Sequence, residues 1–139
     1  MRVCLDVSVL AAAFATRGLC ADVLRIVLDD HELVIGEVLF EELERVLRSK
    51  PGLPPTQIAA VRRALAIADP VPRPLAPDPL TVDDPDDAWV VATAVDGRAD
   101  VLVTGDATLL AAAGAAPLPI VSPRGFWVAL RAGAKPGGP

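Results

Sequence analysis

The chain has 139 residues and a hydrophobic fraction of 53%, which fits one domain with a real core and is too short for two. Its formal net charge of −5 argues against a domain that binds nucleic acid through a broad basic surface. Two cysteines and one histidine are too few for a disulfide framework, a Cys/His zinc site or a histidine-dependent catalytic triad.

The start of the chain is typical of a buried strand and not of a targeting signal. Residues 2–6 are largely apolar until Asp6, and this acid interrupts any signal-peptide core. No later apolar run approaches the roughly 20 residues that span a bilayer. We therefore expect a cytoplasmic protein without membrane contact.

After this strand the chain alternates helical periodicity with short apolar runs. In chain order we predict helices at 9–15 and 21–28, a strand at 33–36, helices at 37–48, 56–68 and 84–94, a strand at 101–104, a helix at 106–113, a strand at 119–121 and a helix at 123–130. Thr56 and Asp84 are the predicted N-caps of their helices, and Pro85 suits a first helical position. The prolines between 70 and 80 predict an extended crossover without a regular element.

This alternation predicts an α/β fold, a three-layer α/β/α sandwich with a mostly parallel central sheet. We expect residues 1–131 to form the domain and residues 132–139, which are rich in glycine and proline, to form a flexible tail. Such sheets bind ligands at the carboxyl ends of their strands. Asp6 ends the first strand and Asp106 closely follows the third, so the two can share one edge.

Glu42 lies on the wrong side of its helix for a solvated carboxylate. Leu39 and Leu43 belong to the apolar face, and at about 100° per residue Glu42 projects roughly 60° from Leu39, between Val38 and Val46. An ionised carboxylate inside an apolar arc is costly unless it is paired or coordinates a cation. Glu42 is therefore a candidate ligand.

Helix phase also separates the acids that open the helix at 84–94. Asp86 falls on the thinner polar side of this helix. Asp87 falls between Val91 and Ala94 and points towards the core. Asp87 is therefore a second candidate ligand.

A structural role can also explain each acid when it is taken singly. Asp6 and Asp106 stand where an N-cap is expected. Asp84, Asp86 and Asp87 can all be first-turn acids that favour the helix dipole. However, a shared cation explains an inward-pointing Asp and an inward-pointing Glu better than helix capping does.

A site built from carboxylates alone favours a hard cation such as Mg²⁺ or Mn²⁺. The four candidate ligands are Asp6, Glu42, Asp87 and Asp106. Two such ions can activate water and stabilise the leaving oxygen of a phosphodiester.

Other α/β proteins with acidic sites fit this sequence less well. A receiver domain needs a lysine after a late strand, and the only lysines of the chain are Lys50 and Lys135, in a predicted loop and in the predicted tail. A haloacid-dehalogenase-type phosphatase needs a second Asp where Ser8 stands, and no Gly-rich phosphate loop is present.

Taken together, these motifs resemble the PIN domain family, and specifically its bacterial group of VapC-like toxins from type II toxin–antitoxin systems. The resemblance runs from Val3 to about Leu130, and the order and spacing of short motifs carry it. The motifs are Leu5-Asp6-Val7-Ser8-Val9-Leu10, Glu42-Leu43, Asp84-Pro85-Asp86-Asp87 with Val91-Ala92-Thr93-Ala94, Val103-Thr104-Gly105-Asp106, and Ile120-Val121-Ser122-Pro123-Arg124-Gly125-Phe126.

The resemblance implies a metal-dependent endoribonuclease that hydrolyses RNA to 3′-hydroxyl and 5′-phosphate ends. Asp6, Glu42 and Asp87 would bind Mg²⁺ or Mn²⁺, with Asp106 as a direct or water-mediated fourth ligand. The toxin group further implies an antitoxin protein that blocks the site, and a homodimer.

Four further residues are expected to support this site. Ser8 stands where the family usually has Asn, and its shorter hydroxyl can still hydrogen-bond a carboxylate. Thr104 is the stronger candidate for a supporting hydroxyl, and Asp84 is a supporting acid. Arg17, in the loop after the first helix, is a candidate contact for RNA phosphate, although a solvated loop charge is the simpler interpretation.

Two alternative functions stay open at this point. One is a catalytically weak or silent PIN module that binds RNA or a protein partner, which the presence of Ser8 and the acidic balance motivate. The other is a nuclease of RNA maturation with no toxin role.

Overall fold

A computed structural model describes residues 1–50, 53–66, 68 and 70–137. Within these residues, seven α-helices and one short 3₁₀ turn flank a sheet of four strands. The strands are β1 (Arg2–Leu5), β2 (Glu32–Val34), β3 (Val101–Val103) and β4 (Ile120–Val121). The helices are α1 (Val7–Ala15), α2 (Leu19–Asp30), α3 (Glu37–Arg48), α4 (Pro55–Leu65), α5 (Pro85–Asp96), α6 (Ala107–Ala111) and α7 (Pro123–Arg131), and the 3₁₀ turn is Ala113–Ala115.

The sheet is parallel throughout, with the strand order β2-β1-β3-β4. All of β3 and residues 3–5 of β1 are inaccessible to solvent, as expected for central parallel strands that are covered on both faces. β1 pairs with both neighbours, so Val3 lies opposite Leu33 on one side and Val101 on the other. The predicted α/β sandwich with a parallel central sheet is confirmed.

Several predicted boundaries differ from the structure, although the order and type of the elements are confirmed. α4 spans Pro55–Leu65 and begins on a proline, so Thr56 is not its N-cap and this prediction was wrong. Proline suits the first helical position because the missing N–H has no partner within a helix there. α4 ends before Ala68, and α6 ends at Ala111 because a 3₁₀ turn follows it.

The chain changes direction across the sheet at its central pair of strands, β1 and β3. From β1 the chain crosses first to β2 on one side and later to β3 on the other, and such a reversal of direction is where open α/β sheets bind ligands. The backbone N–H of Asp6 donates to the Val103 carbonyl at 2.9 Å. Asp6 and Thr104, which follow β1 and β3, therefore lie side by side.

The apolar first two helices belong to the core. Val9 and Leu10 of α1 and Val23 and Val27 of α2 are buried. None of the individual helices among the described residues has both the length and the hydropathy of a membrane span. α1 and α2 reach that length and hydropathy only when combined, and they meet at 106°.

A close backbone approach at Gly36 joins three parts of the fold. Gly36 lies between β2 and α3 and pairs with Val71 of the proline-rich crossover through a parallel bridge. A Cβ atom added to Gly36 would overlap Thr93 Cγ2 of α5 and lie 3.1 Å from the Val71 carbonyl oxygen. A side chain at this position would therefore force its neighbours to shift.

We predict that Gly36→Ala lowers the free energy of unfolding by about 1–3 kcal/mol, because an overpacked buried position forces its neighbours to shift. Thermal unfolding followed by circular dichroism measures the change. Gly114→Ala is the matched control, since an added Cβ there meets no atom within 4 Å. Equal melting temperatures for the two variants would contradict the close approach.

Candidate active site

Asp6 is held at the carboxyl end of β1 by three hydrogen bonds. Its Oδ1 accepts from the backbone N–H of Val7 at 2.8 Å. Its Oδ2 accepts from the hydroxyls of Thr104 at 2.7 Å and Ser8 at 3.2 Å. Burial raises the pKa of Asp6, which is 6% exposed, although these donors oppose the shift. Asp6 is therefore a buried carboxylate of fixed orientation.

Ser8 and Thr104 also connect the first turn of α1 with the loop that follows β3. Ser8 Oγ accepts from the backbone N–H of Gly105 at 3.1 Å while it donates to Asp6. Thr104 Oγ1 accepts from the backbone N–H of Asp106 at 3.0 Å while it donates to Asp6. The two hydroxyls thus make the contacts that a supporting role requires.

Asp106 caps α6 with only one of its carboxylate oxygens. Oδ1 accepts from the backbone N–H and the hydroxyl of Thr108 at 2.8 and 2.7 Å, and from the backbone N–H of Leu109 at 3.4 Å. The hydroxyl of Thr108 holds the pKa of Asp106 below its ordinary value. Helix capping therefore explains the hydrogen bonds of Oδ1, while Oδ2 accepts no hydrogen bond from the residues described.

Asp87 is a buried carboxylate with one uncompensated oxygen. It lies in the first turn of α5, is 7% exposed, and its Oδ2 accepts no hydrogen bond from any described residue. Burial raises the pKa of Asp87 from its ordinary value to about 6. Other carboxylates add to this rise: Asp106, Asp6, Asp84 and Glu42. The negative charges of these neighbouring acids therefore oppose the ionisation of Asp87.

Glu42 lies on α3 and is half-buried, as is Glu44 two residues later. Burial raises the pKa of Glu42, and the negative charges of Asp6 and Asp86 raise it further. The guanidinium of Arg45, one turn later on α3, opposes this rise. Glu42 is thus a half-buried carboxylate whose ionisation is opposed by burial and by neighbouring acids.

The two remaining predicted site residues, Asp84 and Arg17, lie in different parts of the fold. Asp84 caps α5 as predicted, with Oδ1 accepting from the backbone N–H of Asp86 at 2.9 Å. Arg17 is exposed beyond the end of α1, and this helix carries the chain about 13 Å away from Asp6. Its contact with RNA phosphate stays a prediction.

A family model for the PIN domain matches residues 2–108. The chain belongs to the PIN domain family. The matched segment contains all four candidate ligands, from Asp6 to Asp106. No curated protein matches the sequence significantly.

Chains from two solved structures share the fold of this PIN domain. A chain of VapBC2 from Rickettsia felis, bound to a promoter DNA fragment, is 11% identical with a TM-score of 0.63, and the match covers 88% of this chain and 98% of that one. A chain of VapBC-1 from nontypeable Haemophilus influenzae is 16% identical with a TM-score of 0.61, covering 89% of this chain and 99% of that one. At these identities the similarity shows the fold alone.

The donor set of this PIN domain suits a hard divalent cation, because it consists of carboxylate oxygens. In the described residues, no three acidic, histidine or cysteine side chains are already close enough together to surround one ion. The carboxylates are nevertheless close enough to raise the pKa of Asp87, whose buried Oδ2 has no donor. The chemistry of these donors and the unpaired Oδ2 of Asp87 fit a cation.

A small cavity beside Glu42 contains residues that the sequence reasoning missed. Its volume is about 160 Å³ and its lining is Val38, Glu41, Glu42, Arg45, Arg73, Asp86 and Trp89. Arg45 could have been found from its spacing of three residues after Glu42, which places both on neighbouring positions of one helix. Arg73 comes from the proline-rich crossover, and no local pattern predicts its position.

We predict that Asp87→Asn stabilises the metal-free PIN domain at neutral pH by up to about 3 kcal/mol, the free energy that corresponds to a pKa shift of this size. The folded-state pKa lies above the unfolded value, so the folded protein loses stability as the pH rises from about 4 through about 6. Asp87→Asn should reduce that loss. Urea unfolding in a chelator across this pH range measures it.

Asp86→Asn is the matched control for this experiment. It removes an acid from the same first helical turn, and with it the same interaction with the helix dipole, but Asp86 is exposed. Equal stability changes in the two variants would show that Asp87 bears no special cost of burial.

Proposed function

We propose that this PIN domain is an endoribonuclease that requires Mg²⁺ or Mn²⁺ and hydrolyses RNA phosphodiesters. The observation that carries the proposal is the buried Oδ2 of Asp87, which has no donor among the described residues. A folded protein retains such an oxygen at considerable cost unless a ligand compensates it. Because the surrounding acids repel Asp87, the ligand that compensates it best is a cation.

Four side chains of this chain would hold the ion: Asp6, Glu42, Asp87 and Asp106. The hydroxyl groups of Thr104 and Ser8 orient Asp6, and α6 fixes one oxygen of Asp106 while leaving the other available. A bound Mg²⁺ or Mn²⁺ would activate water and stabilise the leaving oxygen of a phosphodiester. The protein itself would contribute the positions of these acids, of which Asp6 and Asp87 are buried and Glu42 and Asp106 are partly exposed.

Membership of the PIN domain family supports the nuclease reaction, and the resemblance to its toxin group supports RNA as the substrate. We further propose that the protein is the toxin of a toxin–antitoxin pair. The support is the shared fold with chains of two VapBC complexes, over nearly the full length of those chains. On this proposal its partners are an antitoxin protein and a second copy of the chain.

We predict that the purified protein cleaves single-stranded RNA in Mg²⁺ or Mn²⁺ and does not cleave it in a chelator. Asp87→Asn and Asp6→Asn should each lower the rate more than about 100-fold, since even residues that only support metal ligands contribute about 10–100-fold. Gel analysis of a labelled RNA, with end-group determination, measures the rate and the predicted 3′-hydroxyl and 5′-phosphate.

Asp96→Asn is the control, because Asp96 is an exposed acid at the opposite end of α5 and should leave the rate unchanged. Undiminished cleavage by both ligand variants would overturn the proposal. Binding of Mn²⁺ with no cleavage by the wild type would instead identify a catalytically silent module.

A further inference from the structure

The cavity beside Glu42, which we call the Trp89 cavity, combines two guanidinium groups with an indole ring. Arg45 and Arg73 both line it, and the half-buried Trp89 forms part of its wall. Glu42 and Asp86 form another part. The cavity therefore adjoins the carboxylates of the proposed active site.

Arg73 is already oriented over the aromatic ring. Its guanidinium carbon lies 5.8 Å from the centroid of the Trp89 ring, a distance at which a cation is attracted to the ring face. Its Nη2 also pairs with Glu41 at 2.7 Å, and both side chains of this pair are at least half exposed. Exposed ion pairs contribute about 0–1 kcal/mol, so Arg73 can exchange Glu41 for a phosphate at little cost.

Arg45 provides a second cation at the same cavity. It projects from α3 one turn after Glu42 and is exposed. Within the part of the chain that the structure describes, Arg45 forms no ion pair. Arginine binds phosphate with paired N–H donors in a fixed planar arrangement. Arg45 is therefore available to an anionic ligand beside the acids.

We propose that the Trp89 cavity binds one unpaired nucleotide of the RNA substrate next to the scissile bond. Its base would pack on the exposed part of Trp89, and Arg45 and Arg73 would bind the adjoining phosphates. This proposal rests on the proposed nuclease function and adds to it the residues that hold the strand. Its occupant is single-stranded, because a base within a duplex has no free face to stack on a side chain.

The net charge of the protein explains why such a local site is needed. With a formal charge of −5 and a group of acids at the centre, the surface repels a polyanion at long range. Arginines adjacent to those acids can compensate a small number of phosphates individually. Binding of RNA then depends on a short segment of the RNA strand and on a small number of arginine–phosphate contacts.

Binding is tested with a labelled single-stranded RNA of about ten nucleotides, in an Asp87→Asn background that keeps the RNA intact. We predict that Trp89→Ala weakens binding about tenfold, as base–aromatic stacking does in single-strand-binding proteins. Arg73→Ala should weaken it and reduce the slope of log K against log salt by about 0.7, the value for one lost phosphate contact on a single strand.

Milder variants and a matched control guard against effects on folding. Trp89→Phe keeps an aromatic ring and should retain most of the affinity, while Arg73→Lys keeps the charge and should retain the salt slope. Arg25→Ala is the control, because Arg25 also forms an exposed ion pair, with Asp22, and does not line the cavity. It should change neither quantity.

Fluorescence reports directly on the proposed contact. The chain has two tryptophans, so Trp127→Phe leaves Trp89 as the single indole. Single-stranded RNA should quench its emission, and duplex RNA of the same sequence should not. No quenching by either RNA would overturn the stacking contact.

Steady-state cleavage separates this proposal from the nuclease proposal. In an otherwise wild-type enzyme, Trp89→Ala and Arg73→Ala should raise KM about tenfold and change kcat less than threefold, because they act on binding of the strand. Unchanged KM in an active enzyme would overturn the cavity proposal and leave the nuclease intact. An inactive wild type whose Trp89 is still quenched would overturn the nuclease and retain the binding site. An effect of these variants on a protein partner alone, without an effect on RNA, would also overturn the cavity proposal.

Discussion

Parallel pairing between β1 and β3 positions the loops on which the proposed site depends. Leu5 lies opposite Val103 in this pairing, so the next residues of both strands, Asp6 and Thr104, emerge together and form a 2.7 Å hydrogen bond. A slip of register by one residue would point Asp6 to the other face of the sheet. The buried apolar side chains of both strands oppose such a slip, and the core thereby specifies the geometry of a polar site.

The same arrangement is costly for the metal-free protein. Asp6, Glu42 and Asp87 each have a pKa raised first by burial and then by neighbouring acids. Donors compensate Asp6, but one oxygen of Asp87 lacks any donor in the described structure. Proteins accept such a loss of stability where function requires it. On our account the cation relieves the repulsion, so binding of metal and stability of the fold are linked.

Much of the fold followed from hydrophobic periodicity, and part of the site followed from departures from it. The spacing of Leu39 and Leu43 predicted the buried face of α3, and both are buried in the structure. The same phase made Glu42 a candidate ligand, and in the structure both Glu42 and Glu44 are half-buried. The inward position of Asp87 was predicted in the same way. The cap of α4 was missed because proline at a first helical position is read equally well as part of the preceding loop. Local sequence favoured Thr56 instead.

Other features of the site depend on long-range contacts that a single sequence does not encode locally. Arg73 reaches Trp89 only because the crossover pairs with Gly36 through Val71. The hydroxyl of Ser8 reaches Gly105, 97 residues away along the chain, through the pairing of β1 with β3. Likewise, Asp106 could be predicted to cap a helix, but the positions of Thr108 and Leu109 were needed to show that the cap uses a single oxygen of this carboxylate.

The central claim is that Asp87 retains a free, buried oxygen in order to bind a divalent cation together with its neighbouring acids. Crystals soaked in Mn²⁺ and measured for anomalous scattering test this claim directly. The account predicts an anomalous peak within coordination distance of Asp87 Oδ2 and of a second carboxylate among Asp6, Glu42 and Asp106. A crystal that binds Mn²⁺ elsewhere, or in which a protein donor satisfies Asp87 Oδ2, would contradict it.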